Sequence, residues 1–379
     1  MNTSLLRLRP RTHSRLRLRR VATAALATAV IALVTACGGG SSSTADTTAD
    51  TSSDTIADTT SDTAPVAIDG TAITIYSGRS EALVQPLIDE FSAATGVTVE
   101  VRYGDSGELA ALLLTEGDAS PADVYFGQDA GALGAIEEAG LFTVMPEATL
   151  SLVSPAFRSA TGGWVGTSGR ARVIVYNPGL VATPPTSLDD LLDAQWKGRI
   201  GFAPTNASWQ SFVTALRVLR GEDGAEKWLT GFAANDPVAF EKNGVVRDAV
   251  NSGEVALGLI NHYYLYEKIM AEGAENVVAK NIYLRDGDAG SLVNVAGTGI
   301  LATSQNPAGA QAFVEYLLSK NGQEYFANKT FEYPLVAGIP QYEGLPALDD
   351  LKPPTINLAD LKSLEATQEL LVRVGLLTK

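Results

Sequence analysis

From residue 72 onward the apolar positions of the chain switch repeatedly between a spacing of two and a spacing of three to four. AITIYS (72–77) reads as a strand, SEALVQPLIDEFSAATG (80–96) as a helix closed by Gly96, and VTVEVRYG (97–104) as a second strand. SGELAALLLTEG (106–117), ADVYFG (122–127) and AGALGAIEEAG (130–140) continue as helix, strand and helix. Such alternation predicts an α/β fold with a largely parallel sheet and helices on both of its faces. Ligands of such sheets bind where strands end and helices begin.

A second α/β unit follows ARVIVYN (171–177). It carries RIGFAP (199–204), the amphipathic segment SFVTALRVLRG (211–221) with Phe212, Leu216 and Leu219 on one face, and the strand VALGLI (255–260). GTGILATS (297–304) and AGAQAFVEYLLS (308–319) then return toward the first unit. The folded part, about 310 residues, exceeds the length at which one core usually keeps growing, so two lobes are expected. Residues 69–171 with 294–345 are assigned to the first and 172–293 with 346–379 to the second. Lobes joined by at least two crossing strands form a hinge with a cleft between them.

The ends of the chain obey other rules. Residues 1–36 hold seven arginines and no acid, and include an apolar run from Val21 to Val34. This is the pattern of a secretory leader, and the run falls short of the roughly 20 residues that a spanning helix needs. LVTAC (33–37) resembles the lipobox of bacterial lipoproteins, which makes Cys37 the expected lipidation site and the first residue of the mature chain. Cys37 is the sole cysteine, so neither an internal disulfide nor a catalytic thiolate is available. Residues 37–68 continue as a Gly/Ser/Thr/Asp tether, with acids at 46, 50, 54, 58 and 62, too poor in apolar groups to fold. As a random coil it would reach about 30 Å. Removing seven of the 28 basic residues and none of the 43 acids takes the net charge from −15 to −22. Nucleic acid and bare anionic membrane surfaces are poor partners for such a chain.

An enzyme reading finds little support. There is no Gly-x-Ser-x-Gly elbow, phosphate-binding P-loop or His-Glu-x-x-His helix. His262 is the one histidine beyond the leader. The segment LINHYYLYE (259–267) is more informative, because it sets Tyr263 and Tyr264 side by side where a strand passes into a helix. Aromatic packing accounts for Tyr266, one turn past Tyr263. Neighbouring helical positions diverge by about 100°, so Tyr263 and Tyr264 cannot both face one core. They can instead converge beyond the helix start, where the dipole favours phenolate and a bound cation lowers the phenol pKa further. Anionic phenolate oxygen suits a hard trivalent ion such as Fe(III). On the residues alone, both packing and ligation stay open.

The chain resembles the ferric-iron-binding proteins of bacterial ABC importers, which have the two-lobed periplasmic-binding-protein type 2 fold. The resemblance is carried by ITIYSGRSEALVQPLIDEFSAATGVTV, SPADVYF, SGRARVIVYN, WKGRIGFAPTNASW, AVNSGEVALGLINHYYLYE and GTGILATSQNPAGAQAFVEYLLSKNGQEYFA. It implies an extracytoplasmic, lipid-anchored, monomeric binding protein rather than an enzyme, which hands Fe(III) to an ABC permease and its ATPase. It also implies that Tyr263 and Tyr264 ligate the metal. A synergistic anion (carbonate, phosphate or citrate) is then expected at Asn206-Ala207-Ser208, ahead of a helix, with Asn261 beside the tyrosines. A helix start offers free N–H groups and a positive dipole end to such an anion. The same Asn and Ser also suit an ordinary helix cap. Arg79 and Arg170 are expected near the cleft as anion partners through their planar forks, surface ion pairs being the alternative for each.

Two departures from the family pattern bear on the site. Ser80 and Gln128 occupy the positions where classical members carry a histidine and a glutamate, and Ser208 and Trp209 occupy the region where others carry a third tyrosine. The protein then supplies two phenolates, with Asp129 as a further possible ligand. A rival on the same fold binds a ferric chelate, a phosphonate or another small organic anion, with the tyrosines stacking or hydrogen-bonding.

Overall fold

The computed structural model describes residues 72–378, so the predicted leader, Cys37 and the tether lie outside the described residues. The chain opens with β1 (Ala72–Ser77), α1 (Glu81–Thr95), β2 (Thr98–Tyr103), α2 (Ser106–Glu116), β3 (Val124–Gly127) and α3 (Ala130–Glu138). Helix α1 buries Val84, Leu87, Ile88 and Phe91, a spacing of three to four that faces one side onto the sheet. It stops at Gly96, whose φ of 77° lets its N–H bond back to Ser92 O. Each apolar side chain buried this way contributes about 1.5–3 kcal/mol.

After the short α4 (Glu147–Leu150) comes β4 (Val165–Tyr176), a twelve-residue strand buried along nearly its whole length. The second unit contains β5 (Ile200–Phe202), α5 (Ala207–Ala234), β6 (Val238–Ala239), α6 (Asn243–Ser252), β7 (Leu257–Asn261), α7 (Tyr263–Glu272) and β8 (Lys280–Ile282). Then follow β9 (Val293–Ile300), α8 (Pro307–Leu318), α9 (Lys320–Asn328), β10 (Tyr333–Pro334) and α10 (Leu364–Arg373). Helix α5 is broken at Gly221 (φ 71°, ψ 168°), where the sequence pattern ends its helix; a second helical stretch continues beyond it.

The strands run in the order β2-β1-β3-β9-β4-β7-β5-β6, with β8 and β10 both pairing β4. Pairing is parallel inside each α/β unit, β1 with β2 and β3, and β5 with β6 and β7. The largely parallel sheet expected from the alternation stops there. Strands β4 and β9 are antiparallel to their neighbours: β9 pairs β3 and the first part of β4, and β4 continues past it to pair β7, so neither belongs to a strand–helix–strand unit. Residues 165–171 of β4 pair with β9, and residues 172–176 pair with β7. The change of partner at Ala171/Arg172 marks the crossing point.

The core is divided accordingly. Ile75, Phe91, Val124, Leu133, Val295 and Phe313 belong to one apolar cluster. Phe202, Trp209, Phe212, Trp228 and Phe232 belong to another, in which Trp228 and Phe232 stack at 5.2 Å. The C-terminal tail touches both: Leu358 and Leu361 join the first cluster, Leu370, Leu371 and Leu376 the second. Among the described residues no helix is long and apolar enough to cross a membrane.

Candidate metal and anion site

Strand β7 ends at Asn261 and α7 begins two residues later, so Tyr263 and Tyr264 occupy its first turn. The two rings stack, with centroids 4.3 Å apart and planes inclined by 28°. Tyr263 is 1% exposed and Tyr264 is half-buried. Burial raises the pKa of both phenols above the usual 10; for Tyr263 the neighbouring Tyr264 adds to this, while Arg170 and Arg79 oppose it. At neutral pH both oxygens therefore carry protons that an incoming cation must displace.

Three guanidiniums are buried around the pair. Arg79, in the turn after β1, donates from Nη2 to both oxygens of Glu332, at 2.9 and 2.8 Å. Arg170 on β4 places Nε 3.9 Å from the same carboxylate and donates from Nη2 to Val295 O. Ser168 and Thr330 donate to Glu332 as well. Arg172, two positions along β4, has no ion-pair partner among the described residues. It donates to Ser208 O, Ser208 Oγ and Leu259 O and lies over the rings of Trp209 and Phe212. Burial without a counter-ion drops its pKa to about 9, a fall that Tyr264 partly opposes. Arg79 Nε, Arg170 Nε and Nη1, and Arg172 Nε are buried with no hydrogen-bond partner among the described residues.

At the start of α5, Asn206 acts as the helix cap. Its Oδ1 accepts from Ser208 N–H (3.0 Å), Ser208 Oγ (2.7 Å) and Asn243 Nδ2 (3.1 Å). Asn243 also donates to Ser208 Oγ, while its own Oδ1 is buried with no partner among the described residues. Asn261 lies opposite Arg172 in the β4–β7 register. Among the described residues no three His, Cys, Asp or Glu side chains gather as a metal site, so a metal held here would depend on the phenols.

Residues 76–324 match the family model described as bacterial extracellular solute-binding protein. This chain belongs to that family. The solute-binding protein is 37% identical to the Fe(3+)-binding periplasmic protein of Serratia marcescens, over 83% of this chain and 93% of that one. Its fold superposes on iron-bound HitA from Pseudomonas aeruginosa with a TM-score of 0.77 and 35% identity, covering 81% of this chain and all of that one. It also superposes on the Trichodesmium protein IdiA (FutA) in complex with iron and citrate, with a TM-score of 0.68 and 31% identity over 81% of this chain and all of that one.

The other expected site residues of this solute-binding protein occupy different surroundings. Asp129 caps α3, its Oδ1 accepting from Gly131 and Ala132 N–H; burial raises its pKa and Arg170 opposes the rise. Ser80 is exposed at the start of α1 and makes no capping bond, and Gln128 is half-buried with its N–H on Ser106 Oγ. Neither of the surface ion pairs weighed for Arg79 and Arg170 forms, because both meet a carboxylate that is itself 0% exposed.

Four residues of this neighbourhood escape a sequence reading: Arg172, Asn243, Glu332 and Glu267. The period-two alternation of β4 could have found Arg172, which shares a strand face with Arg170. Glu332 shows only as a lone acid between Phe331 and Tyr333. Glu267, one turn beyond the phenols, has its pKa raised to about 7 by burial against the pull of Arg247. Asn243 carries no local signal.

Proposed function

We propose that this solute-binding protein captures Fe(III) outside the cytoplasm and delivers it to an ABC permease. Tyr263 and Tyr264 supply two phenolates, and an exogenous anion completes the coordination. The stacked phenols beside buried, incompletely neutralised guanidiniums carry this reading, and the names of the relatives point the same way. Phenolates and anion provide the negative charge that Arg79, Arg170 and Arg172 call for, while the cation lowers the phenol pKa. Closure then follows as a population shift, since only the closed lobes contact metal and anion together.

The anion belongs at the α5 start, against Ser208, Ala207, Asn206 and Asn261, with Arg172 beside it and Arg79 and Arg170 behind. Carbonate, phosphate and citrate all fit the chemistry of these donors. Since Ser80 and Gln128 are neutral, the anion must bring donor atoms as well as charge. A titration with Fe(III) in anion-depleted buffer is therefore expected to give weak binding that tightens when carbonate, phosphate or citrate is added. Tight stoichiometric binding without any anion would instead point to a protein ligand, Asp129 first. The pH dependence has a definite sign. Both phenols are protonated at neutral pH, so each iron bound through both releases two protons, and affinity falls by up to about a hundredfold per unit as pH drops.

The excess of guanidinium favours a second reading, in which a ferric chelate or a free organic anion such as a phosphonate is the solute. Elemental analysis with an absorption spectrum of protein purified without chelators separates the cases. Iron bound to tyrosinate absorbs visible light and a bound phosphonate does not.

The lipid anchor rests on LVTAC and the tether behind it. Cys37→Ser is expected to move the protein from the membrane fraction to the soluble one. Mass spectrometry that finds an unmodified Cys37 in the mature chain would refute the anchor.

A further inference from the structure

His262 is 0% exposed and uses every polar atom it has. Its backbone N–H donates to Ala171 O (2.9 Å), and its ring Nδ1 accepts from Ala171 N–H (3.1 Å). With Nδ1 an acceptor, the ring proton sits on Nε2, which donates to Phe331 O at 2.8 Å. Asn281 Nδ2 donates to the His262 carbonyl at 2.9 Å. The ring lies 4.9 Å from that of Tyr333 and 5.9 Å, edge-on, from that of Tyr263.

The placement of these bonds matters more than their number. Ala171 is the residue at which β4 exchanges β9 for β7. Phe331 lies between Phe326 and Leu335, both in the first apolar cluster, and holds a φ of 57°, a strained conformation for a bulky residue. Tyr263 and Tyr264 follow His262 directly in the chain. One side chain thus ties the crossing strand, the first lobe and the phenol-bearing turn of the second.

We propose that His262 is a positioning residue that fixes the phenol pair to the strand crossing and to the first-lobe carbonyl of Phe331, so that lobe closure and phenolate geometry are set together. This rests on the iron reading above. His262→Asn retains an acceptor near Nδ1 and loses the link to Phe331. His262→Gln retains a donor near Nε2 and loses the acceptor for Ala171 N–H.

The test uses the full chain and measures three quantities: iron affinity by titration with Fe(III) in carbonate buffer, the position of the visible band, and the iron-induced contraction by X-ray scattering. Both variants are expected to lose affinity by about tenfold or more, the range typical of outer-shell partners of a metal site. The band should shift and the contraction should shrink. A merely structural histidine would lower the melting temperature but leave the affinity and band of the folded protein unchanged, and that result overturns the inference. Should neither variant fold, Phe331→Gly leaves the His262 ring untouched and loosens the carbonyl that Nε2 reaches, because glycine accepts the positive φ without being fixed in it, and wild-type affinity and band in that variant also overturn the inference. Parent chain and Tyr263→Phe are run alongside. A colourless parent removes the iron reading and this inference together, whereas a coloured parent, a colourless Tyr263→Phe and unchanged His262 variants remove this inference alone.

Discussion

Tyr263→Phe is expected to abolish the visible absorption of the iron-loaded protein and to weaken Fe(III) binding by more than the roughly 10- to 100-fold that loss of an outer-shell partner costs a metal site. The ring is buried and stacks on Tyr264, so Phe keeps the packing and removes only the oxygen. Burial already holds that phenol protonated in the metal-free chain, so the variant should melt at the parental temperature or slightly above. Tyr264→Phe is expected to behave alike, with a smaller effect on melting because its ring is only half-buried. Titration calorimetry and an absorption spectrum on the two variants check this. Wild-type colour and iron content in both would show that the pair packs and does not ligate.

The largest stability effect is expected at Glu332. Its carboxylate is fully buried and stands against Arg79 at 2.8 Å and Arg170 at 3.9 Å, with Ser168 and Thr330 donating to it. Glu332→Gln retains the shape and removes the charge, leaving two guanidiniums without a counter-ion. Breaking a buried pair in this way costs about 3–5 kcal/mol, to be read from urea unfolding. Because the deficit is one of charge, added phosphate should raise the melting temperature of Glu332→Gln more than that of the parent. A loss below about 1 kcal/mol would mean that water or ions already neutralise the cluster.

Much of the architecture is legible in the one-dimensional pattern. The buried face of α1, its stop at Gly96 and the break of α5 at Gly221 all follow from apolar spacing and the freedom of glycine at positive φ. Where the pattern misleads, the cause is non-local. The parallel sheet expected from strand–helix alternation is interrupted by β4 and β9, which pair antiparallel with strands far away in sequence. The site divides in the same way. Tyr263 and Tyr264 are adjacent in sequence and stand out, and Asn206 is a visible cap. Glu332 lies 253 residues from the Arg79 it neutralises, and no local signal connects them.

The sequence by itself determined most of the strands and helices of the first α/β unit, the start of α5, that the chain divides into two lobes, and which two phenols stand at the start of a helix. These properties depend on side-chain periodicity and backbone freedom, which act over a few residues. Only the tertiary structure decided that the phenols stack, that three arginines surround them with one carboxylate in contact, and that His262 bonds across the strand crossing. Desolvation and charge pairing depend on what surrounds an atom in space, and that is set once the strands have paired.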